Sequence, residues 1–230
     1  MKVLLAVFIA LLWSNSVSAQ DTTTMFLKAG TTIKDALFRP AAFYYPQFQK
    51  GRVFFMDGST SSASMNYNTL SDEMHFVDPK GDTMAIANVQ TIKLITLDKD
   101  SFFYDKGFIK LLSSNNNVKF GVKPSFRVVD IQKIGGYDMA SSTSAITSYR
   151  TFYDGQTVYN LTVKEDMILK KVMIYYFGDK YNRFSAISRK SVLNLFSKQE
   201  NKVKGYLKEN DVDYSNKADL ERLHQFLSLL

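Results

Sequence analysis

Between Gly51 and Gln132 the chain runs as short β-type segments, each closed by a turn signal, and this rhythm limits the fold more than any other feature of the sequence. GRVFFMD ends in Asp57-Gly58, where glycine supplies the positive φ that a tight hairpin needs. Ser61–Tyr67 follows, with Ala63, Met65 and Tyr67 alternating against Ser62, Ser64 and Asn66, the period of a half-buried strand. Glu73–Val77 closes on Asp78-Pro79-Lys80-Gly81, a turn with φ preset by proline. Further strands are expected at 83–87, 91–97, 101–104, 108–112, 117–122 and 126–132. Such regular punctuation implies an antiparallel β meander that forms a sandwich or a barrel-like sheet.

The rhythm breaks at Gly135–Ser148, a small, polar, aperiodic stretch expected to be a flexible loop. It resumes at 149–153, 157–163, 167–177 and 181–186. After Ser188 the period becomes helical. Val192, Leu195, Phe196, Val203 and Leu207 fall on one face, as two short helices broken near Ser197. Asn216 caps a last helix, with Asp219 three residues on as in a capping box, and Leu220, Leu223, Leu227 and Leu230 form its apolar stripe. The fold class is mainly β (α+β): a β domain over 20–187 and a helical C-terminal segment over 188–230 packed on it.

Residues 1–19 read as a cleavable export signal. Lys2 is basic, Val3–Trp13 is unbroken and apolar, and Val17 and Ala19 are the small residues before a cut ahead of Gln20. Eleven residues rise about 16 Å as a helix, roughly half a bilayer core, so the stretch is too short to span. No later stretch approaches a membrane span. The protein is therefore expected to be exported, to the periplasm or the medium. The chain has no cysteine, which removes disulfides, thiolate metal sites and cysteine nucleophiles together.

The run GRVFFMDGSTSSASMNYNTLSDEMHFVDPKGDT resembles a family of uncharacterised exported bacterial proteins, whose extended hairpin carries LNYN and then EMHF or EMQF. Met65 stands where that pattern has Leu. The resemblance continues through FFYDKGFIKLL, the SSTS loop and SRKSVLNLFSKQENKVKGYL to the C-terminus. It implies export and a single-unit architecture. It carries no activity and no catalytic residue.

Few residues suggest chemistry. The histidines number two, His75 and His224. His75, beside Glu73, could be a general base or a structural histidine on a sheet face; His224 reads as structural. No P-loop, G-x-S-x-G, calcium loop or zinc spacing occurs, so no catalytic residue, metal or cofactor is assigned. Asn66, Tyr67 and Asn68 are the most distinctive tripeptide. Asparagine is poor in strands, so the pair, on the face opposite Tyr67, would cap the backbone of a local bulge or turn, or hydrogen-bond an adjacent loop or a ligand. With His75 they are the candidate binding residues. The aromatic clusters Phe43-Tyr44-Tyr45, Phe102-Phe103-Tyr104 and Tyr175-Tyr176-Phe177 are candidates for packing or for a cavity wall.

The net charge of +7 is concentrated at 164–208, where 11 Lys/Arg face 4 Asp/Glu. That region is a candidate contact for a protein or an anionic envelope component, and the address disfavours nucleic acid. The expected role is a non-enzymatic binding or structural protein of the bacterial cell envelope. A carrier of a hydrophobic small molecule or lipid in a β cavity is the alternative, and a hydrolase the remotest reading.

Overall fold

The structure, a computed structural model, describes residues 24–115, 118–134, 140–142 and 162–230. The export signal, most of the 135–148 loop and nearly all of the strands expected at 149–153 and 157–163 lie outside the described residues.

The described residues begin with two elements that the sequence pattern did not announce. β1 (Thr24–Leu27) is too short to show a period, and α1 (Ile33–Leu37) is one turn and a half. Thr32 caps α1 by accepting the Asp35 N–H at 3.0 Å. Then come β2 (Gln49–Phe55), β3 (Thr60–Asn68), β4 (Glu73–Val77) and β5 (Thr83–Ala85). The Asp57-Gly58 and Asp78–Gly81 turns stand where expected, with φ +88° at Gly58 and +93° at Gly81. β6 (Ile92–Leu97), β7 (Asp100–Tyr104) and β8 (Phe108–Asn115) follow as a second meander.

The expected strands at 117–122 and 126–132 are one strand, β9 (Val118–Ile134). Pro124 lies in the gap between the two expected strands. However, β8 pairs with β9 only as far as Val122, while β11 accompanies it to Gln132. Pro124 thus lies where β9 has lost one neighbour, and its missing N–H is tolerated there. β10 (Ala140–Ser142), β11 (Asp166–Gly178) and β12 (Phe184–Ala186) complete the strands.

All pairings are antiparallel, in one sheet ordered β1-β11-β9-β8-β7-β6-β2-β3-β4-β5, with β10 on β9 and β12 on β11. There is no second sheet among the described residues, so the sheet is no sandwich. It rolls instead. Asp72, after β3, meets Lys123 of β9 at 2.7 Å, although β3 and β9 are five strand steps apart, about 24 Å in a flat sheet. The edges β1 and β5 do not pair with each other, so the roll stays open among the described residues.

Among the described residues, three apolar clusters form the core. Inside the roll, Tyr67, Met74, Ile95, Phe102 and Phe108 pack together. At one end of the β9–β11 ribbon, β1 and α1 cover Phe126, Val128 and Leu169. At the other end, α2 (Arg189–Leu195), α3 (Glu200–Glu209) and α4 (Lys217–Leu227) cover Val118, Phe120 and Phe177. Leu220, Leu223 and Leu227 of α4 are wholly buried, each contributing roughly 2 kcal/mol of apolar burial. Asn216 caps α4 by accepting the Ala218 and Asp219 N–H groups. The reciprocal arm of the expected box is diverted: the Asp219 carboxylate accepts the Asp213 N–H and pairs with Arg222.

His224 docks this helix. Its ring lies within 6.0 Å of the Phe120 and Phe177 rings, and Nε2–H donates to the Val118 carbonyl at 3.2 Å. Burial holds its pKa below the usual 6.5, partly opposed by that carbonyl. The unfolded chain takes up a proton near pH 6.5 and the folded chain does not, so stability falls as pH drops below that value. The urea midpoint is expected to be lower at pH 5.5 than at pH 7.5. In His224→Phe, most of that difference disappears.

Candidate functional site

A lysine at 6% exposure is unusual, because its ammonium has left water. Lys123, on β9, is held by two turns of chain, β3–β4 and β7–β8. Its Nζ donates to Asp72 Oδ2 at 2.7 Å and makes a long contact of 3.4 Å with the Lys106 carbonyl. Asp72 also accepts from the Tyr67 hydroxyl at 2.7 Å and the Phe108 N–H at 3.2 Å, both on Oδ1.

The β3–β4 turn is shaped to place that carboxylate. The Asn68 side chain donates to the Leu37 carbonyl and accepts the Leu70 and Ser71 N–H groups, which folds the turn back on α1. Asp72 then takes φ +62°, a left-handed conformation that aspartate tolerates better than most residues. On the facing turn Gly107 has φ +129°. A Cβ there would lie 2.2 Å from Asp72 Oδ2 and 2.4 Å from Lys123 Nζ, so the pair has room only against glycine.

Above the pair opens a cleft of about 470 Å³ between the β3–β4 turn, the β5–β6 connection and the β9–β11 ribbon. Its walls include Ser71, Ile86, Gln90, Tyr104, Ile174 and Tyr176. Ser71 Oγ is buried without a hydrogen-bond partner.

The four residues singled out from the sequence share the β3–β4 hairpin but not one site. Tyr67 points into the roll, packs on Phe102 and Phe108, and reaches the Asp72 carboxylate. Asn66, Asn68 and His75 lie on the other face, against the chain from Leu37 to Tyr45. Asn66 both donates to the Tyr45 carbonyl at 2.9 Å and accepts its N–H at 3.1 Å, as a strand neighbour would. His75 pairs with Asn66 in register and is 3% exposed between Phe38 and Phe43. Its Nε2 is 3.3 Å from Glu73 Oε2, and Nδ1 has no partner. Glu73 lines the cleft; His75 stands behind it.

Asp72, Lys123, Gly107 and Ser71 were not picked out from the sequence. The ion pair spans 51 residues, and neither member has a local motif. Among the described residues no three His, Asp or Glu side chains gather as a metal site, and no helix is long and apolar enough to cross a membrane.

The chain finds no family model, no curated protein and no solved structure, so the cleft's own geometry carries the functional reading.

A second polar cluster ties the segment after α1 to the roll. Asp100 accepts from Tyr45 Oη and pairs with Lys110 Nζ at 2.7 Å, and Lys110 also donates to Tyr44 Oη at 3.2 Å. Burial, then the Asp100 carboxylate, pushes the Tyr45 hydroxyl well above its ordinary 10.0. For Lys110, burial pulls downward, but Asp100 and Tyr44 outweigh it and the net direction is up. In both cases the folded state keeps a proton that the unfolded chain loses, so their stabilisation is intact below about pH 10 and is lost as pH rises further. Tyr45→Phe is expected to flatten the decline of the urea midpoint between pH 9.5 and 11. An unchanged slope would assign the alkaline limit to other groups.

Proposed function

We propose that this chain is an exported, non-enzymatic binding protein of the bacterial cell envelope that holds a small molecule in the cleft beside Asp72 and Lys123. The observation that carries the reading is a buried, charged pair at the floor of a 470 Å³ cleft, within the range of small-ligand sites. Forming it requires two left-handed residues facing each other, Asp72 and Gly107. Glycine adopts such a φ freely, and the modest cost at Asp72 is offset by the hydrogen bonds its carboxylate accepts there. The role is one of holding. The Asp72 carboxylate is occupied by three donors, and both histidines stand away from the cleft wall. Apolar side chains in the same wall, Ile86, Val89 and Ile174, favour the carrier form of this reading, with part of the ligand apolar.

Export rests on the leader at 1–19. The basic region 164–208 adds a second contact: Arg189, Lys190, Lys198, Lys202 and Lys208 are exposed and would meet an anionic envelope component.

Native mass spectrometry of the protein purified from its own host's envelope fraction tests the reading. A mature chain beginning at Gln20 with a small-molecule mass increment is expected. Ser125→Trp, which fills the cleft, loses the increment. A chain that carries only a bound polypeptide, or none of either, overturns the small-molecule role.

A further inference from the structure

A pair of facing cations beside the cleft identifies the charge of its ligand, an inference that rests on the cleft being a binding site. Residues in register on β9 and β11 share a face, as do residues two apart on either strand. On one face of this ribbon the rungs are Lys123 with Ile174, Ser125 with Val172, and Arg127 with Lys170. Lys123, Ser125 and Ile174 line the cleft, so Arg127 and Lys170 stand one rung, about 7 Å, beyond its wall. Among the in-register pairs of the described strands, this one alone sets two charged residues opposite each other, and both are cations.

Both side chains are exposed, and among the described residues neither has an ion-pair or hydrogen-bond partner. Asp130 lies one rung further on, opposite Ile168 and past the register shift, and pairs with neither. Thr24 of β1, on the other side of Lys170, brings no charge. Like charges directly opposite in an antiparallel pair, with Cβ atoms about 5 Å apart, destabilise the sheet. An anion set between them reverses the sign of that interaction. The guanidinium fork suits two oxygens of one acid group, and the ammonium supplies a further contact. The cleft wall itself offers no such place, because Asp72 and Glu73 balance Lys106 and Lys123.

We propose that the cleft binds an amphiphilic anion, with its acid group on Arg127 and Lys170 and its apolar body in the cleft. From Lys170 that body passes over half-buried Val172 to Ile174, about 13 Å along β11, and on to the apolar wall at Ile86 and Val89. The test is calorimetry on the full exported chain with four probes: decanoate, decyl phosphate, decanol and acetate. Decanoate or decyl phosphate is expected to bind at least tenfold more tightly than decanol, and acetate not to register. The better of the two anions shows whether the acid group is a carboxylate or a phosphate. Arg127→Gln and Lys170→Gln each weaken that binding about tenfold to a hundredfold, the loss of a charge-assisted hydrogen bond. Lys93→Gln, an exposed cation on β6, leaves it unchanged. Without ligand, the first two substitutions raise the thermal midpoint by about 1–3 °C, because they remove a like-charge repulsion. A midpoint that falls in both would give the pair a structural role and overturn the anion site.

Decanol binding as tightly as both anions, and lost in Ser125→Trp, overturns the anionic class while the small-molecule role stands. A panel in which nothing binds also overturns it, and the mass increment from the host envelope then decides the role separately.

Discussion

Asp72→Ala is expected to destabilise the protein by about 3–5 kcal/mol, because it strands the Lys123 ammonium at 6% exposure with no counter-charge. The Tyr67 hydroxyl and the Phe108 N–H lose their acceptor at the same time. For a chain of this size that loss lowers the thermal midpoint by roughly 10 °C. The double substitution Asp72→Ala, Lys123→Met should recover at least half of the loss, since an apolar side chain of similar length suits the emptied position. Urea unfolding of the two singles and the double closes the cycle. A single-mutant cost below about 1 kcal/mol would mean that Lys123 reaches water, and the description of the pair as buried would fail. Glu200→Ala provides the contrast: its partner Lys204 is half exposed, and the change should stay within about 0.5 kcal/mol.

Gly107→Ala is the second large effect. The added methyl meets Asp72 Oδ2 and Lys123 Nζ at 2.2 and 2.4 Å and must also be carried at φ +129°. Overpacking and backbone strain together are expected to cost about 3–5 kcal/mol. They also push the pair apart, so ligand retention fails along with stability. Gly58→Ala isolates the backbone share. Its φ is +88° and nothing lies within 4 Å of the new Cβ, so its cost should be about 1 kcal/mol. If the two glycine variants unfold at the same urea concentration, the close approach at Gly107 is not what the geometry indicates.

These two sites also show where reading the chain alone stops. β3 and β4 were legible because period-2 alternation and Asp-Gly or Asp-Pro-Lys-Gly turns are local signals. The helical end was legible for the same reason, through the leucine spacing of α4 and its Asn216 cap. β9 reads as two strands in the sequence, 117–122 and 126–132, with the breaker Pro124 between them, and only the end of β8 at Val122 makes that proline harmless. β1 and α1 went unread, being too short for any period to form. Tyr67, which holds Asp72 from inside the roll, was visible as part of an odd tripeptide, and Tyr104 and Tyr176 of the cleft wall as members of aromatic runs. Asp72 and Lys123 were not, for each looks like an ordinary charged residue until the roll brings them together. Asn66, Asn68 and His75 drew notice as polar groups in a strand, and the structure shows why they are there: they grip the chain between Leu37 and Tyr45.

β1 has one further consequence, for the timing of folding. Its hydrogen-bonding partner is β11, with Thr24 opposite Lys170 and Leu27 opposite Met167, across some 140 intervening residues. The earliest described strand therefore has no sheet to join until the last third of the polypeptide exists, and Met25 and Leu27 wait uncovered meanwhile. Closure over so long a loop is slow, so the two meanders should assemble ahead of it and the front of the chain should be clipped into place at the end.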